Sequence, residues 1–147
     1  MTVDLNSRYG LNAAHSEVVE ACQIIEPGAA LDMGCSNGRN ALYLSQLGFN
    51  VTAIDANPSA INMLQDIIEQ EALTNIKAEV YDINRASLDA DYVFISCTVI
   101  LMFLDPTRIA AVIADMQART LAGGYNLIVC AMSTPVYPCP VDFPFTL

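Results

Sequence analysis

Leu31-Asp32-Met33-Gly34-Cys35-Ser36-Asn37-Gly38-Arg39-Asn40 is the stretch that decides the fold. Ala29 to Met33 reads as a short, mostly apolar strand, and Asn37 to Leu47 as a helix with Gly48 placed to cap its C-terminus. Between them lies a turn with two glycines. Gly34 lets backbone approach a ligand closely, and Gly38 opens the helix beside it. A strand, loop and helix in this order suit a nucleotide-like ligand at the carboxyl end of the strand.

The pattern continues outward. Val51 to Asp55 is a second strand, followed by Asn57-Pro58, an N-cap with proline at the first helical position. Ile61, Leu64 and Ile68 line one face of that helix. Ile76, Ala78 and Val80 alternate with Lys77, Glu79 and Tyr81, as in a strand with one face less buried. Tyr92 to Cys97 is nearly all apolar, as in a parallel strand covered on both faces. Asp105-Pro106 repeats the cap-and-proline start for a helix with Ile109, Val112, Ile113 and Met116 inward. Gly123-Gly124 turns the chain into a last strand, Tyr125 to Ala131. Upstream, Leu11, Ala14, Val18, Cys22 and Ile25 recur at helical spacing until Pro27-Gly28. The expected fold is α/β, a Rossmann-like, mostly parallel sheet with helices on both faces. Between the third and fourth strands, Asp82 to Ala90 leaves room for about one helical turn.

Composition narrows the function. The 147 residues are 54% hydrophobic and only 15% charged, which fits one domain with a real core. The net charge is −10, and the six cations are scattered, so a nucleic-acid substrate is excluded. No apolar run reaches the ~20 residues that span a bilayer, and Met1 to Gly10 has no signal-like apolar region. A cytoplasmic protein with no membrane partner is expected. The five cysteines form no CxxC pair and His15 is the only histidine, so reduced thiols and no metal site are expected.

Charge also selects the ligand. A dinucleotide pyrophosphate wants a helix N-terminus free of carboxylate and the G-x-G-x-x-G spacing. Here the spacing is Gly34-x-x-x-Gly38, and Asp32 sits two residues before the first glycine. A carboxylate there repels phosphate and favours a ligand carrying an ammonium and a sulfonium, which S-adenosylmethionine has. Asp55, with Ala56 beside it, is placed to accept hydrogen bonds from both ribose hydroxyls. Asp82 and Ile83 are placed to meet the adenine, the carboxylate at its amine and the isoleucine against the ring. Singly, these acids read equally well as a helix-facing cap, a turn residue and a loop solvator. Three acids ending three successive strands, together with the loop, favour the nucleotide site.

Residues 31–38 resemble the first motif of class I S-adenosylmethionine-dependent methyltransferases, D-x-G-C-G-x-G, with Ser36 in place of the middle glycine. A serine fits there if its φ is negative. Further segments are similar to the tellurite-resistance methyltransferase family: Tyr9 with His15-Ser16-Glu17-Val18, Asn37-Gly38-Arg39-Asn40, Val99 to Leu104, Gly123 to Val129, and Tyr137-Pro138-Cys139 with Phe143-Pro144-Phe145.

The resemblance implies methyl transfer to a small soft nucleophile such as a tellurium or selenium oxyanion, leaving S-adenosylhomocysteine. It places the cofactor on Asp32, Gly34, Cys35, Ser36, Asn37, Gly38, Arg39, Asp55, Ala56, Asp82, Ile83 and Thr98. A soft anion needs no general base, so catalytic residues stay unassigned; His15, Arg8 and Met102 are the acceptor-side candidates. Residues 1–147 form one expected domain, with a helical cap (1–26), a Rossmann-like core (27–134) and a proline-rich tail (135–147). The family also implies two further strands beyond Ala131, so the chain reads as lacking its last strands. Tyr125–Ala131 would then be a sheet edge, buried in a homodimer or covered by Val136, Tyr137, Phe143 and Phe145. A non-catalytic cofactor-binding or assembly protein is the alternative, and an NAD-binding oxidoreductase a further one.

Overall fold

The structure, a computed structural model, describes residues 3–140. Five strands form one all-parallel sheet: β1 (Ala29–Met33), β2 (Asn50–Asp55), β3 (Ile76–Val80), β4 (Tyr92–Thr98) and β5 (Thr120–Val129). Their spatial order is β3-β2-β1-β4-β5. The chain therefore runs outward from β1 to β3, then crosses back to place β4 on the other side of β1. This reversal opens a crevice at the carboxyl ends of β1 and β4, where such sheets bind ligands.

The helices are α1 (Leu5–Arg8), α2 (Ser16–Ala21), α3 (Arg39–Gln46), α4 (Pro58–Gln70) and α5 (Ile109–Ala118). Strand alternation sorts the core between two faces. Ala30, Val51, Ala53, Ile76, Ala78 and Phe94 meet Leu42, Ile61 and Leu64 of α3 and α4, together with Val18 of α2. Leu31, Met33, Ile54, Ile95 and Cys97 point the other way, onto Val112 and Met116 of α5. Phe49 and Phe94 pack tilted, with ring centroids 6.3 Å apart. Asn57 caps α4 as expected, its side chain accepting from the Ser59 amide at 3.0 Å, with Pro58 at the first helical position. The β3–β4 connection holds a single 3-10 turn, Ile83–Arg85, as its length requires. On this second face an open groove of about 620 Å³ lies over β2 and β3, away from the glycine loop.

Several expectations need correction. The helix anticipated from Leu11 begins only at Ser16, because His15 is its N-cap and residues 11–14 run as irregular chain. Leu11 packs against the core as a loop residue. Asp105 caps a turn at Thr107 (2.9 Å), and α5 starts four residues later, at Ile109. The last strand starts at Thr120, before the glycine pair, with an irregular register opposite Tyr92 and Phe94. Val80 is exposed despite its place in the alternation.

β5 does lie at the sheet edge, paired only with β4 among the described residues. Tyr125 and Ile128 are partly open to solvent. Val136 and Tyr137 do not cover it, being 77% and 79% exposed, while Phe143 and Phe145 lie outside the described residues. Among the described residues no helix is long and apolar enough to cross a membrane.

Candidate functional site

The carboxyl ends of β1, β2 and β3 are neighbours in register: Met33 lies beside Ile54, and Asp55 beside Val80. The acids Asp32, Asp55 and Asp82 therefore gather along one rim of the sheet. The loop after β1 is stitched to β2. The Gly34 and Cys35 amides donate to the Ile54 carbonyl at 2.8 and 3.0 Å, and the Ser36 amide donates to Asp55 Oδ2 at 2.8 Å. Gly34, Ser36 and Gly38 all have positive φ, at 72°, 49° and 95°. Ser36 thus takes the left-handed conformation that suits glycine, contrary to the negative φ expected of it. The space above the Gly34 α-carbon is filled by the Ile100 side chain, so a side chain at position 34 would collide with Ile100 first.

A cavity of about 350 Å³ opens at the switch point. Its wall consists of residues 34–37, Arg39, Asn40, residues 98–100, Leu11 and Asn12. The amino-terminal segment is strapped across it by polar contacts. Asn6 Nδ2 donates to the Arg39 carbonyl at 2.8 Å, Arg39 Nη1 to the Ala13 carbonyl at 3.1 Å, and the His15 amide to Asn40 Oδ1 at 2.8 Å. Asn40 also donates through Nδ2 to Thr98 Oγ1 at 3.1 Å, joining α3 to the end of β4. Sequence reasoning gave Asn40 no role. Its signal was a polar side chain on the inward face of the first helical turn, where an amide is kept only if its hydrogen bonds are made.

Asp32 lies beneath the loop, 1% exposed, and neither carboxylate oxygen has a hydrogen-bond partner among the described residues. Burial pushes its carboxyl from 3.8 up to about 7, and the Asp55 charge adds to the rise. The Ala41 backbone amide, which approaches as a donor without reaching ordinary hydrogen-bond geometry, and the Arg39 guanidinium pull it back. A buried, unsatisfied carboxylate is a costly feature unless a cation approaches it. It fits the cationic ligand inferred from its charge. Burial raises the Cys35 thiol far above its usual range and lifts Cys97 to about 12, so neither supplies a thiolate.

The other candidates separate. Asp55 borders the loop, half-buried. Its oxygens accept once each, from the Ser36 and Asn57 amides, and each retains accepting capacity. Asp82 is exposed and caps the 3-10 turn through the Asn84 amide at 3.0 Å. Ile83 is corrected: its side chain is buried in the second-face core and presents no surface to a ring. Met102 is likewise 1% exposed and cannot floor a pocket. Arg8 does not reach the cavity but pairs with Glu71 at 2.9 Å, where Tyr9 also donates to Glu71 at 2.6 Å. His15 serves α2, its Nδ1 accepting from the Glu17 amide at 3.2 Å. Among the described residues no group of metal-ligating side chains is present, and all five cysteines are free.

Comparison with known proteins gives the family and the fold. The family model "Tellurite resistance protein TehB" matches residues 4–147. A "Probable S-adenosyl-L-methionine-dependent methyltransferase TehB" of Haemophilus influenzae (strain 10810) is 48% identical over 141 residues, 96% of this chain and 49% of that protein. The crystal structure of TehB from Haemophilus influenzae superposes with a TM-score of 0.92 at 46% identity, covering 97% of this chain and 50% of that one. A glycopeptide N-methyltransferase solved with S-adenosylmethionine shares the fold alone, with a TM-score of 0.73 at 19% identity, over 89% of this chain and 55% of that one. The chain belongs to the TehB family, has the class I methyltransferase fold, and spans about half the length of the TehB relatives it matches.

Asp32→Asn tests the buried carboxylate. A carboxyl whose folded-state pKa is raised binds protons more tightly folded than unfolded. Its contribution is therefore full in acid, falls as pH rises from about 4 to about 7, and is flat above. The variant should lose that downward slope and be more stable than the parent at pH 8, by roughly 1–3 kcal/mol after discounting the buried amide it introduces. Urea unfolding of both proteins from pH 4 to pH 8 measures this. Parallel curves would show that Asp32 is already satisfied in the fold.

Proposed function

We propose that this TehB-family chain is an S-adenosylmethionine-dependent methyltransferase of the cytoplasm, acting on a small soft nucleophile such as a tellurium or selenium oxyanion. The observation that carries the reading is the buried, unpartnered Asp32 under a loop tied to Asp55 at the sheet's switch point. Residues 27–134 serve as the binding core and residues 1–26 as its cap. When bound, the cofactor supplies an already activated methyl group.

The chain's own residues bind and orient. The 34–38 loop gives a close backbone wall, and Asp55 keeps accepting capacity for ribose hydroxyls. Asp82, at the end of the same rim, is the acid placed toward the base. Asp32 contributes charge from beneath, which a cationic ligand would stabilise. The cavity wall at Val99 and Ile100 is apolar. Among the described lining residues there is no carboxylate or histidine to take a proton. A nucleophile that is already an anion needs no proton acceptor from that wall.

Asp55→Ala should weaken binding of S-adenosylhomocysteine by at least tenfold, since hydrogen bonds to a charged acceptor are worth about 1.5–3 kcal/mol each. Isothermal titration reads this directly, and equal affinity in a folded variant removes Asp55 from the site. Radiolabelled methyl transfer to selenite and tellurite tests the acceptor class. Tight cofactor binding with no transfer to either would favour the non-catalytic alternative.

A homodimer through the open β5 edge belongs to the same proposal. Leu121 and Tyr125 are 44% and 46% exposed on a strand lacking a second neighbour among the described residues. Light scattering should give twice the 15.9 kDa chain mass; a monomer at high concentration would sink it.

A further inference from the structure

Asn40 has only one arrangement open to it. The His15 backbone N–H can only donate, so the atom it meets at 2.8 Å is the Asn40 amide oxygen. The amide nitrogen must then be the atom facing Thr98 Oγ1 at 3.1 Å, and it can only donate. The Thr98 oxygen is thereby an acceptor in this contact, and its own hydrogen is directed elsewhere. Among the described residues no acceptor takes that hydrogen. Asp32, an acid on the neighbouring strand, does not accept it: among the described residues neither of its oxygens has a partner of ordinary hydrogen-bond geometry. Thr98 is 7% exposed, and the surface it keeps is part of the cavity wall, beside Gly34 and Ile100.

We infer that the Thr98 hydroxyl is a donor, oriented by Asn40, for an anionic oxygen of the bound ligand. The inference rests on the cofactor-binding reading above and adds to it a side-chain role for Thr98 and a positioning role for Asn40. Two ligand groups carry such an oxygen: the carboxylate at the amino-acid end of the cofactor, and an oxyanion acceptor. The same hydroxyl chemistry serves either. A hydroxyl held in this way costs the protein little, because a neutral donor in a cavity wall stays satisfied on its accepting side. It also recognises an anion without adding a charge that would repel a cation nearby.

Titration separates the two sources without requiring turnover. The probes are S-adenosylhomocysteine, methylthioadenosine, which lacks the amino-acid end, and selenite added to the chain already saturated with S-adenosylhomocysteine. If the cofactor carboxylate is the partner, Thr98→Val loses about tenfold or more in affinity for S-adenosylhomocysteine, the size of a hydrogen bond to a charged oxygen, and none for methylthioadenosine. If the acceptor is the partner, both nucleosides bind as in the parent and selenite binding weakens by a similar factor. Thr98→Ser restores binding in either case, which a purely packing role for the threonine would not predict.

Asn40→Asp tests the positioning role. A carboxylate at this position still accepts from His15, but it also accepts from Thr98 and turns the hydroxyl hydrogen toward itself. The variant should reproduce the Thr98→Val loss, and adding it to Thr98→Val should cost nothing more. A loss that persists undiminished in the double variant comes from the added charge and overturns the role of Asn40. Should Thr98→Val fail to fold, Thr98→Ala against Thr98→Ser carries the same comparison. Unchanged S-adenosylhomocysteine affinity, with selenite binding unchanged or absent, overturns the assignment alone. A parent chain that binds no nucleoside overturns the cofactor reading and this inference with it.

Discussion

Three left-handed residues within five positions fold the chain from β1 into α3, and the site depends on that turn. Gly34 and Gly38 adopt it at little cost, but Ser36 at φ 49° does not. A left-handed non-glycine residue costs roughly 1–2 kcal/mol. The Ser36 amide recovers a comparable amount by donating to the Asp55 carboxylate at 2.8 Å, since a hydrogen bond to a charged group is worth about 1.5–3 kcal/mol. The two magnitudes are close, so the bond to Asp55 offsets much of the cost of the turn, beside the Gly34 and Cys35 bonds to Ile54. The loop, the end of β2 and the start of α3 are therefore one unit. Asp55 is committed to the fold through this amide before any ligand arrives.

The same strand geometry that builds the core aims the acid. In β1, Leu31 and Met33 face α5, while Ala30 faces α3 and α4. The period of two that buries those apolar residues sends Asp32 to the α3 side, under the loop. Ser96 stands opposite it in the β4 register, and its hydroxyl is also buried without a partner among the described residues. Two adjacent orphaned polar groups would weaken an ordinary core. Both lie beneath the glycine loop, and burial is the main cause that raises the Asp32 carboxyl above its ordinary value.

Most of the architecture was legible because local signals agreed with the tertiary outcome. Asn57-Pro58 both looks like and is a helix start, and the apolar run from Tyr92 becomes the covered central strand β4. The strand, glycine turn and helix at residues 31–46, and the position of Asp55 at the end of its strand, were also legible, since chemistry and spacing coincide there. The failures share one cause, which is that sequence does not say where a side chain's partner lies. Arg8, an acceptor-side candidate, is paired instead with Glu71, which follows α4 and lies 63 positions away. Ile83 and Met102 looked like pocket residues but follow strands whose ends turn back into the core. The Leu11–Ala14 spacing is real, but the His15 cap and the bond to Asn40 start the helix after it. Ser36 was misjudged because φ is set by the loop's closure onto Ile54 and Asp55, not by serine's own preference.

Electrostatics then limits how an anion can be recognised at all. The chain carries a net charge of −10 and only six cations. Each cation is engaged within the fold: Arg8 with Glu71, Lys77 with Glu79, and Arg119 with Asp91. Arg85 lies 5.4 Å from the Tyr81 ring centroid, and Arg108 donates to the Asn84 carbonyl at 2.8 Å. Arg39 alone lines the cavity, and one of its N–H groups is spent on the strap at Ala13. The protein's field thus favours cations at the switch point and opposes anions. An anionic group that binds there has to be held by Arg39's remaining donors and by neutral donors in the wall, among them the Thr98 hydroxyl, whose oxygen already accepts from Asn40.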